Sequence, residues 1–313
     1  MNRRAYCIKA FILFCVLLFS ACEAYASTLQ AKIEDTLGEK MKISIDMNIS
    51  LTMPEKSKNE ASTKEIVRTI RSYAENGDPQ AQSFIGVCYL LGFVVEQDLS
   101  EAMNWINKAA DNGYDKAQLT LGMFYYLGKE DLGEIVDFKH DYAKALKWLT
   151  KSAAQDNISA QCALGNMYWQ GKGVKKNYKE AFKWWSKAAE QNHPSAQCAL
   201  GTMYYLGKGV KRSPVKALEL YRKAEKQNDP EAQCRLGTMY YLGKNVRRNK
   251  DKALDFWLRA AEHKHPKAEF CIGALYYLGD TVEQSSSQAA EWYKKAVEDG
   301  YKEAQEELDK LSD

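Results

Sequence analysis

The sequence predicts an all-α fold, a solenoid assembled from α-hairpin repeats. Six times the chain contains Ala-Gln, or Ala-Glu in the last copy, followed at fixed spacing by Gly, Tyr and Gly. The copies start at Ala81, Ala117, Ala160, Ala196, Ala232 and Ala268, which lie 36 residues apart except for one interval of 43. A fixed period of this length is typical of solenoids, in which each unit buries its apolar face against its neighbours.

The composition narrows the choice of partner. Of the 313 residues, 45% are hydrophobic and 27% are charged, and the formal net charge is +3. A charge so close to balance provides no global attraction to nucleic acid, so no nucleic-acid partner is expected. The expected partner is another protein, and the chain itself is expected to be a monomer without a cofactor.

Residues 1–26 are predicted to be a secretory signal peptide. A basic start precedes the uncharged run Ala10–Phe19, which is too short to span a bilayer, and a small-x-small cleavage site ends at Ala26, before Ser27. Cleavage there places the mature chain in a bacterial periplasm or in the secreted fraction. The alternative is a lipoprotein box with lipidation at Cys22, the one case in which we expect attachment to a membrane.

Residues 27–62 are predicted to form an N-terminal arm with a β-strand at 41–53. Across that strand, apolar side chains from Met41 to Met53 alternate with polar ones, which is strand periodicity. A lone strand leaves its backbone groups unpaired, so it would either pack on the helices or pair with a strand of a partner. A linker whose alternation arose by chance is the remaining alternative.

The solenoid is predicted to span residues 63–313, with each full repeat folded as two helices. Repeats start near residues 79, 115, 158, 194, 230 and 266, and half-repeats at 63–76 and 302–311 cap the two ends. The 43-residue repeat has its extra residues around 130–137, which are expected to bulge from the inter-helix edge.

Local signals mark the ends of these helices. Pairs such as Asp229-Pro230 place proline at the first position of a helix, and glycines follow the last turn. Ser62 and Glu65 have the spacing of a capping box for the first half-repeat. Gly165 stands where a missing side chain would allow the second helix to approach closely.

Export would leave five cysteines in an oxidising compartment, namely Cys88, Cys162, Cys198, Cys234 and Cys271. Three of them occupy the same repeat position, and equivalent positions in neighbouring helical repeats are expected to lie roughly 10 Å apart. A disulfide needs Cα atoms within about 7 Å. These residues are therefore predicted to be buried free thiols, with a Cys234–Cys271 pairing as the alternative.

The repeat resembles the Sel1-like repeat of the tetratricopeptide-like superfamily. The motifs that show this are Ala-Gln-x-x-Leu-Gly-x-Met-Tyr, Gly-x-Gly-Val and Lys-Ala-x-x-Trp-x-x-Lys-Ala-Ala, which match most fully over residues 160–190. The resemblance implies a right-handed superhelix that acts as an adaptor or inhibitor in protein complexes. Exported members of the family are implicated in host interactions, and some are immunity proteins against phospholipase toxins.

A cysteine-rich branch of the same family is described as penicillin-binding with weak β-lactamase activity. That branch pairs a cysteine near the end of the second helix with one at the start of the next repeat. Here the first of those positions is alanine, at Ala110, Ala154, Ala189 and Ala261. The disulfide framework of the branch is therefore not expected in this chain.

Candidate catalytic and metal-binding residues are few. Ser213 and Lys216 have the spacing of a penicillin-interactive nucleophile and its base, but the companion Lys-Thr-Gly and Ser-Asp-Asn elements are missing. Ser213 before Pro214 also fits a helix N-cap, which we favour. His263 and His265 lack the further ligands of a zinc shell. We expect no catalytic residue and no metal, and the chain is not predicted to be an enzyme.

Two sets of side chains are predicted to bind a partner. The first, called the aromatic ladder, follows the repeat tyrosine and consists of Tyr126, Trp169, Tyr205, Tyr241 and Tyr277. The second, called the basic ridge, lies on three successive turns and consists of Lys172, Lys175, Lys176, Lys208, Lys211, Arg212, Lys244, Arg247 and Arg248. Rings could anchor a protein in the groove, and cations could attract an acidic surface. The alternatives are rings that act as spacers between repeats and a solvated edge without a partner.

The predicted function is thus a non-enzymatic scaffold that binds a protein in the groove of the solenoid. Inhibition of a toxic effector such as a phospholipase is one form of that role. A penicillin-binding protein with weak β-lactamase activity is one alternative. A host-interaction virulence factor or envelope-tethered adaptor is another.

Overall fold

The computed structural model describes residues 60–92, 95–132 and 139–311, and the regular secondary structure of this part of the chain consists of α-helices joined by turns. The predicted signal peptide, Cys22, the cleavage site at Ala26 and Ser27, and the 41–53 strand lie outside the described residues. The helices are α1 (Glu60–Glu75), α2 (Pro79–Leu91), α3 (Leu99–Asp111), α4 (Asp115–Leu132), α5 (Tyr142–Ala154), α6 (Ile158–Gln170), α7 (Tyr178–Glu190), α8 (Pro194–Leu206), α9 (Pro214–Glu225), α10 (Pro230–Leu242), α11 (Lys250–Glu262), α12 (Pro266–Leu278), α13 (Ser286–Glu298) and α14 (Glu303–Asp309).

The chain divides into two compact units after Asn157. In the N-terminal unit, α1 packs on the hairpin α2–α3, which is followed by the hairpin α4–α5. In the C-terminal unit, α6–α7, α8–α9, α10–α11 and α12–α13 are successive hairpins, and α14 packs on the last of them. The predicted fold class, an all-α solenoid of α-hairpins, is confirmed. Within the described residues, no helix is both long and apolar enough to cross a bilayer.

Small residues bring the two helices of each hairpin together. A Cβ atom added to Gly165 in α6 would lie 2.4 Å from Cδ1 of Trp185 in α7, and one added to Gly237 in α10 would lie 2.6 Å from Nε1 of Trp257 in α11. Such distances are far below van der Waals contact, so only glycine allows the second-helix ring to lie against the first helix. The predicted reason for Gly165 is confirmed.

Each hairpin turn is closed by the same backbone hydrogen bond. The N–H of the residue before the second helix donates to the carbonyl of the repeat tyrosine, as from Asn177 to Tyr168 at 2.9 Å. In the 43-residue repeat the same bond runs from Asp141 to Tyr125 at 2.8 Å. There α4 is kinked at Gly128 and continues to Leu132. The longer connection therefore leaves the end of the turn unchanged.

The helix starts follow from residues that satisfy free backbone N–H groups. Before the prolines, side chains of Asp78, His193, Asp229 and His265 accept from the N–H three residues later, as Asp229 Oδ1 does from Ala232 at 2.8 Å. Two predicted starts differ in detail. Ser213 is the residue before α9, but its side chain makes no capping bond. Helix α1 begins at Glu60, so Ser62 lies inside the helix and the predicted capping box of Ser62 and Glu65 is wrong.

Candidate partner-binding surface

The aromatic ladder lies at the C-terminal ends of the first helices. Tyr126, Trp169, Tyr205 and Tyr241 are half-buried and Tyr277 is exposed. The Trp169 ring centroid lies 5.0 Å from that of Tyr178 and 5.6 Å from that of Trp185, so this ring packs on the second helix of its own hairpin. The ladder rings thus have structural contacts as well as solvent-exposed edges.

Side chains from the next turn reach the ladder in the C-terminal unit. The ammonium of Lys208 lies 5.2 Å from the Trp169 centroid, a cation–π distance. Two repeats further along the ladder, the hydroxyl of Tyr241 donates to Asp280 Oδ2 at 2.8 Å, and Asp280 also pairs with Lys250. The ladder and the turns therefore form one continuous surface within this unit.

Tyr205 shares its backbone contact with Tyr241 but differs from it in its side-chain hydroxyl. Its backbone carbonyl accepts from Arg212 Nε at 3.1 Å, and in the next repeat Arg248 Nε donates to the Tyr241 carbonyl at 3.0 Å. The hydroxyl of Tyr205, in contrast, has no hydrogen-bond partner in the described part of the chain. This hydroxyl can therefore donate and accept hydrogen bonds with a ligand.

All nine cations of the basic ridge are exposed. Arg212 and Arg248 also donate hydrogen bonds to carbonyls at the helix ends, so they stabilise the turns in addition to contributing positive charge. Lys175, Lys211 and Arg247 have no acidic partner among the described residues. These three cations are thus not neutralised by an ion pair with a described carboxylate.

A column of exposed leucines adjoins the ladder, and the sequence analysis did not identify it. Leu206, Leu242 and Leu278 each follow a ladder residue and are 47%, 49% and 62% exposed. They close the first helices α8, α10 and α12, one step of about 100° around the helix from the rings. Leu206 and Leu242 directly precede turns of the basic ridge, whereas Leu278 precedes the turn that contains Asp280 and Glu283. We call Leu206, Leu242 and Leu278 the leucine column.

A groove runs along α10. Glu231, Arg235, Thr238 and Leu242 line it together with Tyr205, Lys244 and Lys267, around a cavity of about 60 Å³. The groove therefore joins one ladder ring, one member of the leucine column and one cation of the basic ridge. We call it the α10 groove.

A buried row of amides links the two helices in four hairpins. Gln82, Gln118, Gln161 and Gln197 are buried, and each accepts through Oε1 from an amide that follows the second helix, as Gln118 does from Gln155 at 2.9 Å. Gln82 and Gln118 also donate to carbonyls of the preceding helix at 3.0 Å. These hydrogen bonds satisfy amide and carbonyl groups that the fold buries away from water.

The last repeat replaces this amide pair with two carboxyl groups, Glu269 and Asp299. Glu269 is only 3% exposed, and its Oε2 has no hydrogen-bond partner. Burial, with the charge and hydrogen bonding of Asp299, raises the pKa of Glu269 to about 7, against the opposing charges of Lys295 and Lys264. The sequence signal was present, since this repeat alone has Ala-Glu where the others have Ala-Gln.

The remaining candidate residues have structural contacts. Lys216 lies over the Tyr204 ring, 5.3 Å from its centroid. His265 caps α12 through Nδ1, which accepts from Ala268 N, so Nε2 is the donor toward Glu231 Oε2 at 2.9 Å. His263 follows α11 and is exposed. Neither histidine belongs to a cluster of metal ligands in the described ranges.

All five cysteines in the described part of the chain are free. Cys88, Cys198 and Cys234 are buried, and Cys162 and Cys271 are partly buried. Burial raises the pKa of the Cys162 thiol to about 12 and that of Cys271 to about 11. The buried free thiols at the shared repeat position agree with the sequence prediction for Cys198 and Cys234, and the Cys234–Cys271 disulfide is absent.

Comparison with known proteins gives a family and a fold. The Sel1 repeat matches six consecutive segments, at residues 79–114, 115–157, 158–193, 194–229, 230–265 and 266–301. The chain is similar to c5321, a protective antigen present in uropathogenic Escherichia coli strains displaying an SLR fold, with 32% identity and a TM-score of 0.63. That match covers 78% of this chain and 51% of c5321, so this chain spans about half the length of c5321. A Sel1 repeat protein from Oxalobacter formigenes is 29% identical, with a TM-score of 0.62, over 75% of this chain and 98% of that one. No curated protein sequence matches the chain.

Proposed function

The chain belongs to the Sel1 repeat family, and on that basis we propose that it is a non-enzymatic scaffold that binds a protein partner through the C-terminal unit. The observation that carries this proposal is the basic ridge beside the leucine column. The turns that follow Leu206 and Leu242 each carry three exposed ridge cations, and Leu278 extends the leucine column by one repeat. Apolar side chains supply affinity when they are buried in an interface, and cations raise the association rate with an acidic protein.

The proposed mechanism is inhibition by occlusion, in which the scaffold covers the surface through which the partner acts. The aromatic ladder makes this surface rigid, because Trp169 packs on Trp185 and Tyr241 donates a hydrogen bond to Asp280. A rigid surface loses little conformational entropy on binding, which favours a stable complex. We propose that the partner is met after export, and that a toxic effector such as a phospholipase is a partner of this kind.

A pull-down from an envelope extract tests this function. Lys175, Lys211 and Arg247 are exposed ridge cations without acidic partners, so their replacement by serine removes charge without removing a described contact. The matched control replaces Lys223, Lys226 and Lys294, three exposed cations outside the ridge. We expect one protein to be retained by the wild type and the control but lost by the ridge variant.

Retention should also fall as salt rises, because exposed charges are screened within about 10 Å at 0.1 M salt. Equal retention by all three proteins, at every salt concentration, would contradict a binding role for the ridge. If an effector is retained, its activity should fall in proportion to the amount of scaffold added. An effector that stays fully active in the complex would refute occlusion.

A further inference from the structure

The α10 groove follows one face of a helix. Glu231, Arg235, Thr238 and Leu242 are separated by four, three and four residues, so they lie in a line along α10. At about 1.5 Å per residue the line is about 16 Å long. Lys267 lies in the first turn of the next first helix, and Lys244 follows the C-terminal end of α10. The groove thus has cations at both ends and an arginine in the middle.

Arg235 occupies a position that is small in the neighbouring repeats. The equivalent residues in the C-terminal unit are Ala163, Ala199 and Cys271. Alanine at this position is thus compatible with the hairpin, as α6 and α8 show. The repeat fold therefore does not require a long cationic side chain here, and Arg235 is specific to the α10 groove.

The charges in the groove do not cancel. Glu231 Oε1 accepts from Arg235 Nε at 2.6 Å, and Glu231 Oε2 accepts from His265 Nε2 at 2.9 Å. Although burial opposes ionisation, these two contacts hold the pKa of Glu231 down at about 2. One carboxylate thus faces three cations, Arg235, Lys244 and Lys267. The terminal nitrogens of Arg235 and both ammonium groups have no acidic partner within the described chain.

Neutral groups complete the same cavity. The Tyr205 hydroxyl is open and can donate a hydrogen bond, and Leu242 provides an apolar wall. A volume of about 60 Å³ has room for a few water molecules, which a carboxylate-bearing side chain can displace. Arginine and a phenol hydroxyl bind a carboxylate through charge-assisted hydrogen bonds.

We propose that the α10 groove binds an acidic side chain from an internal segment of the protein partner, while the leucine column binds apolar side chains of the same segment. This inference rests on the proposed function and names the chemistry that the scaffold recognises. The segment crosses the groove rather than ending in it, because Leu206 and Leu278 continue the apolar column on both sides. The ridge reaches the groove at Lys244 and continues on one side of it, at Lys211 in the preceding turn.

Two substitutions with opposite expected effects test the proposal. R235A and E231S each break the Arg235–Glu231 ion pair, and each introduces the residue that α8 has at the same position, Ala199 or Ser195. If the ion pair were purely structural, both variants would change peptide binding in the same direction. A carboxylate site predicts that R235A weakens binding about tenfold or more, since it removes a charge-assisted bond. It predicts that E231S tightens binding about threefold, since it removes the repelling charge.

The probe is a short fluorescein-labelled peptide of Glu, Leu and Ser with both ends blocked, and binding is followed by fluorescence anisotropy. A peptide with Gln in place of Glu should bind at least tenfold more weakly. The Gln peptide with a free C-terminal carboxylate should not recover the affinity, because the site takes an internal side chain. K294A, an exposed cation away from the groove, should bind as the wild type does. Circular dichroism and thermal unfolding verify that each variant is folded.

Several outcomes would overturn the assignment. They are equal binding of the Glu and Gln peptides, changes of the same sign in R235A and E231S, recovery by the free C-terminus, or binding to phosphatidylserine vesicles without binding to the peptide. The scaffold function is judged separately by the ridge variants. R235A could retain the partner as well as the wild type does while the ridge variant loses it. That result would support the scaffold function and refute the carboxylate site in the α10 groove.

Discussion

Glu269→Gln should give the last repeat the Ala-Gln of the other repeats and stabilise it above neutral pH. The folded protein holds the Glu269 pKa at about 7, against an ordinary value of 4.5. A carboxyl group whose pKa is higher when folded stabilises the fold in its neutral form. That stabilisation is complete below pH 4.5 and is lost as the pH rises through 7.

The size of the effect follows from the same two values. The difference between 4.5 and about 7 corresponds to at most about 3 kcal/mol, and partial solvation reduces it, so we expect a loss of about 1–3 kcal/mol between pH 5 and pH 8. Glutamine has no charge to bury, so E269Q should show little of this dependence. Its amide can also donate to the carbonyl of the preceding helix, as Gln82 and Gln118 do at 3.0 Å.

The assay is urea denaturation of the wild type and E269Q at several pH values, with hydrogen exchange of α12–α14 as a local readout. Local exchange is needed because repeats near an end can unfold separately from the rest. D299N should give a smaller change of the same sign, because it removes the neighbouring charge but leaves the burial. E262Q, at an exposed residue of α11, is the charge-matched control and should leave the pH slope unchanged. A wild type whose α12–α14 protection does not fall between pH 5 and pH 8, or an E269Q variant that is less stable than wild type at pH 8, would refute the reasoning.

Two further predictions concern the core. Gly165→Ala should cost about 1–3 kcal/mol in chemical denaturation despite alanine's higher helix propensity, because the new methyl group would lie 2.4 Å from Trp185; Ser159→Ala on the exposed face of the same helix is the control, and equal stabilities would contradict the close approach. Cys198 and Cys234 should react with a thiol reagent only after unfolding, because burial raises their pKa and blocks access; fast labelling of either thiol in the native protein would show that the core is open.

The features that recur in several repeats were predictable from the sequence. Gly165, the proline at the start of α10 and the buried cysteines each follow from the 36-residue period together with helical spacing. The same rule holds for the hairpin order, because a unit that cannot bury its face alone must pack on the next copy. Helix starts were less certain, as α1 shows by beginning at Glu60 rather than after Ser62.

The candidate site was predictable only in part, because it depends on where one repeat differs from the next. The exposure of the ridge follows from its place on turns. The contact of Lys208 with the Trp169 ring does not, since it depends on the rotation between neighbouring hairpins. Arg235 and Glu269 stand out only when equivalent positions are compared, at Ala199 for the first and at the repeated Gln for the second.

The turn bond that the 43-residue hairpin shares with its neighbours has a consequence for engineering and for evolution. Because Asp141 meets the Tyr125 carbonyl at 2.8 Å despite the extra residues, new sequence can enter this connection without a change in helix register. Loop closure costs rise only slowly with length, by about 0.6 kcal/mol for each doubling. The same connection in any of the other hairpins is therefore a site where a loop can be inserted. A scaffold with such a loop can acquire a second binding specificity while its core sequence stays the same.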